Sequence, residues 1–107
     1  MQVFNKERAL ELVDGDEGLL EILIESFMTE NKFERSELDA LVSAGKLSEA
    51  AGYVHATKGA ARQLCMEKLQ ESGQRLEDVL RGKTQGDVMA LSDRMFEDYE
   101  EAMKVIL

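Results

Sequence analysis

His55 is the side chain in this chain best suited to covalent chemistry, and it is the only histidine among the 107 residues. A neutral imidazole is a nucleophile near neutral pH, and it can accept a phosphoryl group on one ring nitrogen while an acceptor holds the other. On a helix, residues three, four and seven positions away share one face. For His55 these are Gly52, Lys58, Gly59 and Arg62. Two glycines and two cations therefore flank the nucleophile.

The glycines on this face have a thermodynamic cost. Each glycine inside a helix is destabilising by roughly 0.5 to 1 kcal/mol relative to alanine. Gly52 and Gly59 do not mark a helix end, since the apolar stripe continues through them. We expect them to leave room for another protein to reach His55. Gly73, by contrast, lies on an apolar stripe and predicts close contact between helices.

Cations and polar side chains around His55 favour an anionic group. Lys58 can offset the charge of phosphoryl oxygens, and Arg62 is a candidate contact for a partner's acidic pocket. Glu77 could accept the second ring N–H and fix the tautomer, and Gln74 is the rival for that role. Residues 55–83 carry six cations and four acids, although the whole chain has a formal charge of −9. The six cations are Lys58, Arg62, Lys68, Arg75, Arg81 and Lys83.

Composition excludes several classes of protein. The net charge argues against nucleic acid or an anionic membrane as the main partner, and no apolar run is long enough for a membrane span. The first residues lack the apolar segment of a signal peptide. One cysteine cannot form an internal disulfide, which fits a reducing cytoplasm. The length predicts a single domain over residues 1–107.

The hydrophobic spacing and the absence of proline predict an all-α protein. A short helix is predicted over 5–13, and longer helices over 16–43, 46–63, 66–81 and 84–105. Short connections favour antiparallel neighbours, so we expect an up-down antiparallel four-helix bundle with a short additional N-terminal helix.

Helix-boundary signals support these limits. Asn5 is a plausible N-cap of the first helix, and Asp14 or Asp16 can cap the second. Gly15 suits the left-handed position between them. The segment Thr84-Gln85-Gly86-Asp87 resembles a capping box at the start of the last helix.

Metal and nucleotide chemistry lack their usual residues. One histidine and one cysteine cannot form a structural zinc site, and no Glu-x-x-His pair is present. Gly82-Lys83-Thr84 looks like the end of a phosphate-binding loop, but position 77, where the first glycine belongs, is Glu77. We therefore expect no metal site, no cofactor and no ATP site in this chain.

The sequence around His55 resembles the signature of the histidine-containing phosphotransfer (HPt) domain family. That signature reads His-x-Leu-Lys-Gly-Ser/Ala-Ala-x-x-Leu-Gly-Ala-x-x-Leu, and residues 55–69 read HATKGAARQLCMEKL. Residues 15–20 followed by Phe27 look like the family's Gly-Asp opening of its long second helix, and Leu76-Glu77 looks like its late Leu-Glu pair. The resemblance covers nearly the whole chain.

This resemblance implies a phosphorelay intermediate in two-component signalling. His55 would accept a phosphoryl group from a receiver-domain aspartate and pass it to another receiver aspartate. Lys58 would stabilise the phosphoryl group, and Gly59 would give the receiver access. Mg²⁺ and most catalytic groups would come from the receiver, and a sensor or hybrid histidine kinase would be the upstream partner. The chain itself would be a monomeric phosphohistidine carrier rather than an enzyme.

Two positions depart from the signature. Thr57 replaces the leucine, which places a hydroxyl on the core stripe. Cys65 replaces the glycine after Leu64, and a positive φ there would strain a cysteine. A changed turn would alter where Glu77 lies relative to His55.

Two other hypotheses stay open. The chain could be the N-terminal phosphoacceptor domain of a chemotaxis-type kinase, which receives its phosphate from ATP through a kinase domain, and a glutamate near His55 would suit that role. It could also be a non-catalytic acidic helical interaction module. For docking we expect the surface of Ala51, Gly52, Ala56 and Gly59, with an exposed apolar residue such as Ile22.

Overall fold

The computed structural model describes residues 1–106 and contains six α-helices, with no strand among those residues. The all-α prediction is therefore confirmed for the described chain. The helices are α1 (Lys6–Leu12), α2 (Glu17–Glu30), α3 (Arg35–Ser43), α4 (Leu47–Gln63), α5 (Glu67–Leu80) and α6 (Val88–Ile106). None of these helices is long and apolar enough to cross a membrane.

The prediction of one continuous helix over 16–43 is wrong. The chain leaves the helix after Glu30 and re-enters it at Arg35. Between them Phe33 is 2% exposed and packs against Tyr53, Phe96 and Tyr99, with ring centroids 5.6 to 6.4 Å apart. Burying this aromatic ring requires the backbone to turn inward at a point where a continuous helix would not place it.

The Tyr53 hydroxyl stabilises this break. It accepts a hydrogen bond from the Glu34 backbone N–H at 2.7 Å and donates one to the Lys32 carbonyl at 3.2 Å. Two backbone groups that a helix would have paired therefore keep partners. The break shortens the second helix and makes α3 a separate element packed on α4.

The predicted start of the last helix is also wrong. Residues 84–87 are not helical, and α6 begins at Val88. Asp87, rather than Thr84, provides the capping side chain, since its Oδ1 accepts from the Ala90 N–H at 3.2 Å. Gly86 brings this loop close to α5, because an added Cβ would lie 3.0 Å from a Val79 methyl group.

The N-terminal boundary signals are confirmed. Asn5 caps α1 through the Arg8 N–H, and Asp16 caps α2 through the Leu19 N–H. Gly15 lies between them with φ +77°, in the left-handed region where glycine has no Cβ penalty.

The packing of α4 against α5 positions the site. Of the apolar stripe predicted over 46–63 and Leu64, Leu47 at its start is 45% exposed, whereas the other members are buried: Ala50, Val54, Thr57, Ala61 and Leu64. On α5, Gly73 allows close approach, because an added Cβ would lie 3.0 Å from Lys58 Cβ and 3.2 Å from Met95 Cε. The interpretation of Gly73 as a close-contact position is confirmed.

Candidate functional site

His55 lies in the middle of α4 with its ring in solvent. The preceding residue, Val54, is fully buried, whereas the His55 side chain is 58% exposed. A Cβ added at either Gly52 or Gly59 would meet nothing within 4 Å. The glycines therefore border open space on both sides of the imidazole along the helix.

Glu77 reaches the imidazole from α5. Its side chain is 7% exposed, and His55 Nδ1 lies 3.1 Å from each of its two carboxylate oxygens. The sequence prediction that Glu77 lies opposite His55 is therefore consistent with the geometry. The Nδ1 edge of the ring is therefore fixed to the bundle, while most of the side chain stays exposed.

The charge of Glu77 decides which ring nitrogen carries the proton. Burial raises the pKa of this carboxyl, but hydrogen bonds from Lys58, Arg81 and His55 outweigh it and bring the pKa down to about 2. Glu77 is thus ionised at neutral pH and can only accept hydrogen bonds. Nδ1 must therefore donate, which leaves the lone pair of a neutral ring on Nε2.

Lys58 is held between two groups of α5. Its Nζ lies 2.9 Å from Glu77 Oε1 and donates to Gln74 Oε1 at 2.9 Å, and its side chain is only 13% exposed. Gln74 in turn donates to Asp78 Oδ1 at 2.8 Å. Gln74 therefore contacts the lysine, and Glu77 contacts the imidazole.

Arg81 completes the surroundings of Glu77. It follows the last residue of α5, and its Nε donates to Glu77 Oε2, four residues earlier, at 2.8 Å. From the sequence, Arg81 was only one of the six cations of residues 55–83. The available signal was its spacing of four residues from Glu77, which places two side chains together on a helix.

The Hpt domain family model matches residues 22–105, more than half of the chain. This chain belongs to the Hpt domain family. Hpt domains are phosphocarrier modules of two-component signalling, and they act with receiver domains and histidine kinases. No curated protein and no solved structure matches the chain significantly.

The turn between α4 and α5 of this Hpt domain carries the anticipated strain. Cys65 has φ +58°, and it is buried. The Met66 N–H donates to the Ala61 carbonyl at 2.9 Å, and the Cys65 N–H donates to the Arg62 carbonyl at 3.2 Å, as in a Schellman turn. Burial also raises the pKa of the Cys65 thiol. The cysteine thus adopts the left-handed conformation, and Glu77 keeps its place beside His55.

The N-terminal segment braces this turn. The Asn5 N–H donates to the Cys65 carbonyl at 2.9 Å, and the Gln2 carbonyl accepts from the Lys68 N–H at 3.1 Å. Glu67 accepts from the Gln2 N–H and from the Asn5 amide, which lowers the pKa of its carboxyl. These bonds hold the first residues against the start of α5.

The predicted docking surface needs one correction. Ala51 is fully buried and cannot touch a partner, because it lies on the core side of α4. Gly52 and Ala56 are exposed, and Ile22 on α2 is 62% exposed. Exposed small or apolar groups are therefore present on both α4 and α2.

The structure gives the cations of residues 55–83 different surroundings. Lys58 and Arg81 pair with Glu77, and Lys68 pairs with Glu101. Arg75 lines the groove between α5 and α6, away from the imidazole. Arg62 is exposed on α4. Among residues 1–106, no three His, Cys, Asp or Glu side chains form a group that could hold a metal ion.

Proposed function

We propose that this Hpt domain accepts a phosphoryl group on Nε2 of His55 from a receiver-domain aspartate and passes it to another receiver aspartate. One observation carries this proposal: an exposed imidazole whose Nδ1 is held by the ionised carboxylate of Glu77. Such a ring presents Nε2 outward in a fixed orientation, which lowers the entropic cost of reaching an in-line geometry.

The transfer step conserves charge and protons. The Nε2 lone pair attacks phosphorus, the bond between phosphorus and the aspartyl oxygen breaks, and its electrons leave on the receiver carboxylate. The proton on Nδ1 stays on the ring and is shared with Glu77, which offsets the positive charge that the imidazole gains. The reverse step returns the phosphoryl group to a second aspartate.

Neighbouring residues divide the remaining tasks. Lys58 balances the negative charge of Glu77 in the resting state. On α4 its ammonium is the nearest cation that can stabilise phosphoryl oxygens during transfer. Gly52 and Gly59 leave the approach to His55 open. The domain uses no cofactor and no ATP site of its own, and the receiver supplies Mg²⁺.

The wider setting completes the proposal. The helices adopt the up-down antiparallel bundle order, which the three-residue links around α4 support. The domain acts as a monomer in the cytoplasm, between a sensor or hybrid kinase and its receivers. The phosphoryl group therefore comes from an aspartate of another protein or domain, and it leaves His55 for a second such aspartate.

The test is phosphotransfer from a receiver domain charged with acetyl phosphate. We expect the wild-type protein to gain a base-stable, acid-labile phosphate, and His55→Gln to gain none while keeping its helical circular dichroism. Equal labelling of both proteins would contradict the proposal. If His55→Ala kept partner binding and biological output intact, the interaction-module hypothesis would be favoured instead.

A second candidate is the phosphoacceptor domain of a chemotaxis-type kinase. The contact between Glu77 and His55 Nδ1 favours it, since a carboxylate that fixes the ring serves an ATP-dependent donor equally well. The two candidates differ in the donor. Labelling by ATP with a separate kinase domain, but not by any charged receiver, would select this second function.

A further inference from the structure

Arg62 lies on the same face of α4 as His55 and has no other evident task. It is seven residues from His55, so the two side chains project in nearly the same direction. Gly59 lies between them, and a Cβ there would meet nothing within 4 Å. Arg62 is exposed, and among residues 1–106 its side chain takes part in no ion pair or hydrogen bond.

The other cations near His55 are already occupied. Glu77 and Gln74 bind the Lys58 ammonium, whose side chain is 13% exposed, and Glu77 binds Arg81. Moving either cation to a partner's carboxylate would cost its present contact with a buried, ionised group. Arg62 would lose only water. It is therefore the cation on this face that an approaching acidic surface meets first.

We propose that Arg62 is the docking cation of this site: it contacts acidic side chains around the phosphorylation site of the receiver, and it sets how readily a receiver binds without acting in the chemical step. The inference rests on the proposed function. It assigns association to Arg62, and it leaves charge stabilisation near the reacting atoms to Lys58 and Glu77.

Helix geometry separates Arg62 from the chemistry. Seven residues correspond to about 10.5 Å along the axis. Helical side chains lean toward the N-terminus, so Arg62 leans over Gly59, while the His55 ring leans away from it toward Gly52. The Arg62 side chain therefore does not readily reach a phosphoryl group on Nε2, but it does reach the rim of a docked receiver. Exposed charges at such a rim act mainly on encounter rate and partner choice.

The matched comparison is Arg62→Gln against Arg75→Gln. Both remove one exposed arginine that is without an ion pair among residues 1–106, but Arg75 lies on α5 in the groove toward α6. The probe is a receiver domain charged with acetyl phosphate, and the measurement is the single-turnover rate of His55 labelling against receiver concentration, at low and high salt.

We expect Arg62→Gln to raise the half-saturating receiver concentration about two- to fivefold at low salt and to leave the saturating rate unchanged. The difference should vanish at about 1 M salt, where charges are screened within a few ångströms. Arg62→Lys should restore most of the loss, and Arg75→Gln should behave as wild type.

The outcomes separate this inference from the proposed function. A wild type that takes no label from any receiver overturns both. Normal wild-type labelling, with an unchanged half-saturating concentration in Arg62→Gln, overturns the inference alone. A fall in the saturating rate of Arg62→Gln, or an equal effect of Arg75→Gln, overturns it as well, because the residue would then act in chemistry or only through net charge.

Discussion

The solvent face of α4 and its edge against α5 use the same residue types for opposite purposes. On the solvent face, Gly59 borders open space beside His55 and Arg62. On the edge, Gly73 of α5 lies so close to Lys58 that an added Cβ would be 3.0 Å from its Cβ. One glycine keeps a surface uncovered, and the other allows two helices to approach. The role of a glycine inside a helix therefore depends on what lies opposite it.

Glu77 connects these two regions. It is buried at the edge, where Lys58 and Arg81 neutralise it, and it also holds the imidazole of the solvent face. The reactive ring can therefore stand in water and still keep one orientation. Substitutions that separate the two regions should show which properties belong to each.

The largest effect is expected for Glu77→Gln. The pKa of Glu77 lies near 2 in the folded protein, below its ordinary 4.5, so the carboxylate stabilises the fold fully above about pH 4.5. That contribution, on the order of 3 kcal/mol, disappears as pH falls from 4.5 toward 2. Urea unfolding of Glu77→Gln should show the full loss at pH 7 and almost none near pH 2.

A matched control for this prediction is Glu71→Gln. Glu71 is an exposed carboxylate on the same helix and makes no ion pair among residues 1–106. Its removal should change stability by less than about 0.5 kcal/mol at either pH. A loss in Glu77→Gln that stayed constant between pH 7 and pH 2 would show that the packing of the side chain, rather than its charge, carries the stabilisation.

The contrast between the regions also explains what the sequence could predict. The reactive face follows from one helix, where spacing alone places Gly52, His55, Gly59 and Arg62 together. The edge involves two helices, and the sequence left Glu77 and Gln74 as alternative partners of the imidazole. Relative rotation of α4 and α5 decides which of them meets His55, and single-helix periodicity contains no information about it.

The fold shows the same division. Helix type and the N-caps Asn5 and Asp16 were predictable, because both are local properties. The break before α3 was not, since it depends on Phe33 finding an aromatic pocket made by α4 and α6. The polar residues around position 31 weakened the helical pattern, but only tertiary packing turns that weakness into a break.

A second, smaller effect compares one substitution at two glycines. Gly73→Gln should be destabilising by about 1 to 3 kcal/mol, because the new side chain would overlap Lys58 and Met95. Gly59→Gln should be stabilising by about 0.5 kcal/mol, since glutamine is a better helix former and has open space. Thermal unfolding of both variants measures whether each one is less or more stable than the wild type.

The effects of the two substitutions on phosphotransfer should be the reverse of their effects on stability. Gly59→Gln places a side chain beside His55 and should slow labelling by a charged receiver several-fold, although the protein is more stable. Folded Gly73→Gln, measured well below its unfolding temperature, should bind the receiver normally. Unchanged transfer in Gly59→Gln would refute the access role of that glycine, whatever its effect on stability.

The smallest and most specific prediction concerns Lys58, whose charge lies at the edge but whose proposed action is on the solvent face. Lys58→Ala removes the ammonium near Glu77 together with a stem that packs on Gly73, whereas Lys58→Met removes only the charge and keeps most of the stem. Both variants should lower the saturating transfer rate about threefold to fivefold and change the half-saturating receiver concentration less than twofold, the reverse of the pattern expected for Arg62→Gln. Both variants should lose stability, because the buried Glu77 carboxylate loses an ion-pair partner, and Lys58→Ala should lose about 1 kcal/mol more through its missing stem. If Lys58→Met transferred at the wild-type rate, the lysine would serve stability alone, and the charge of the edge would have no influence on the reactive face.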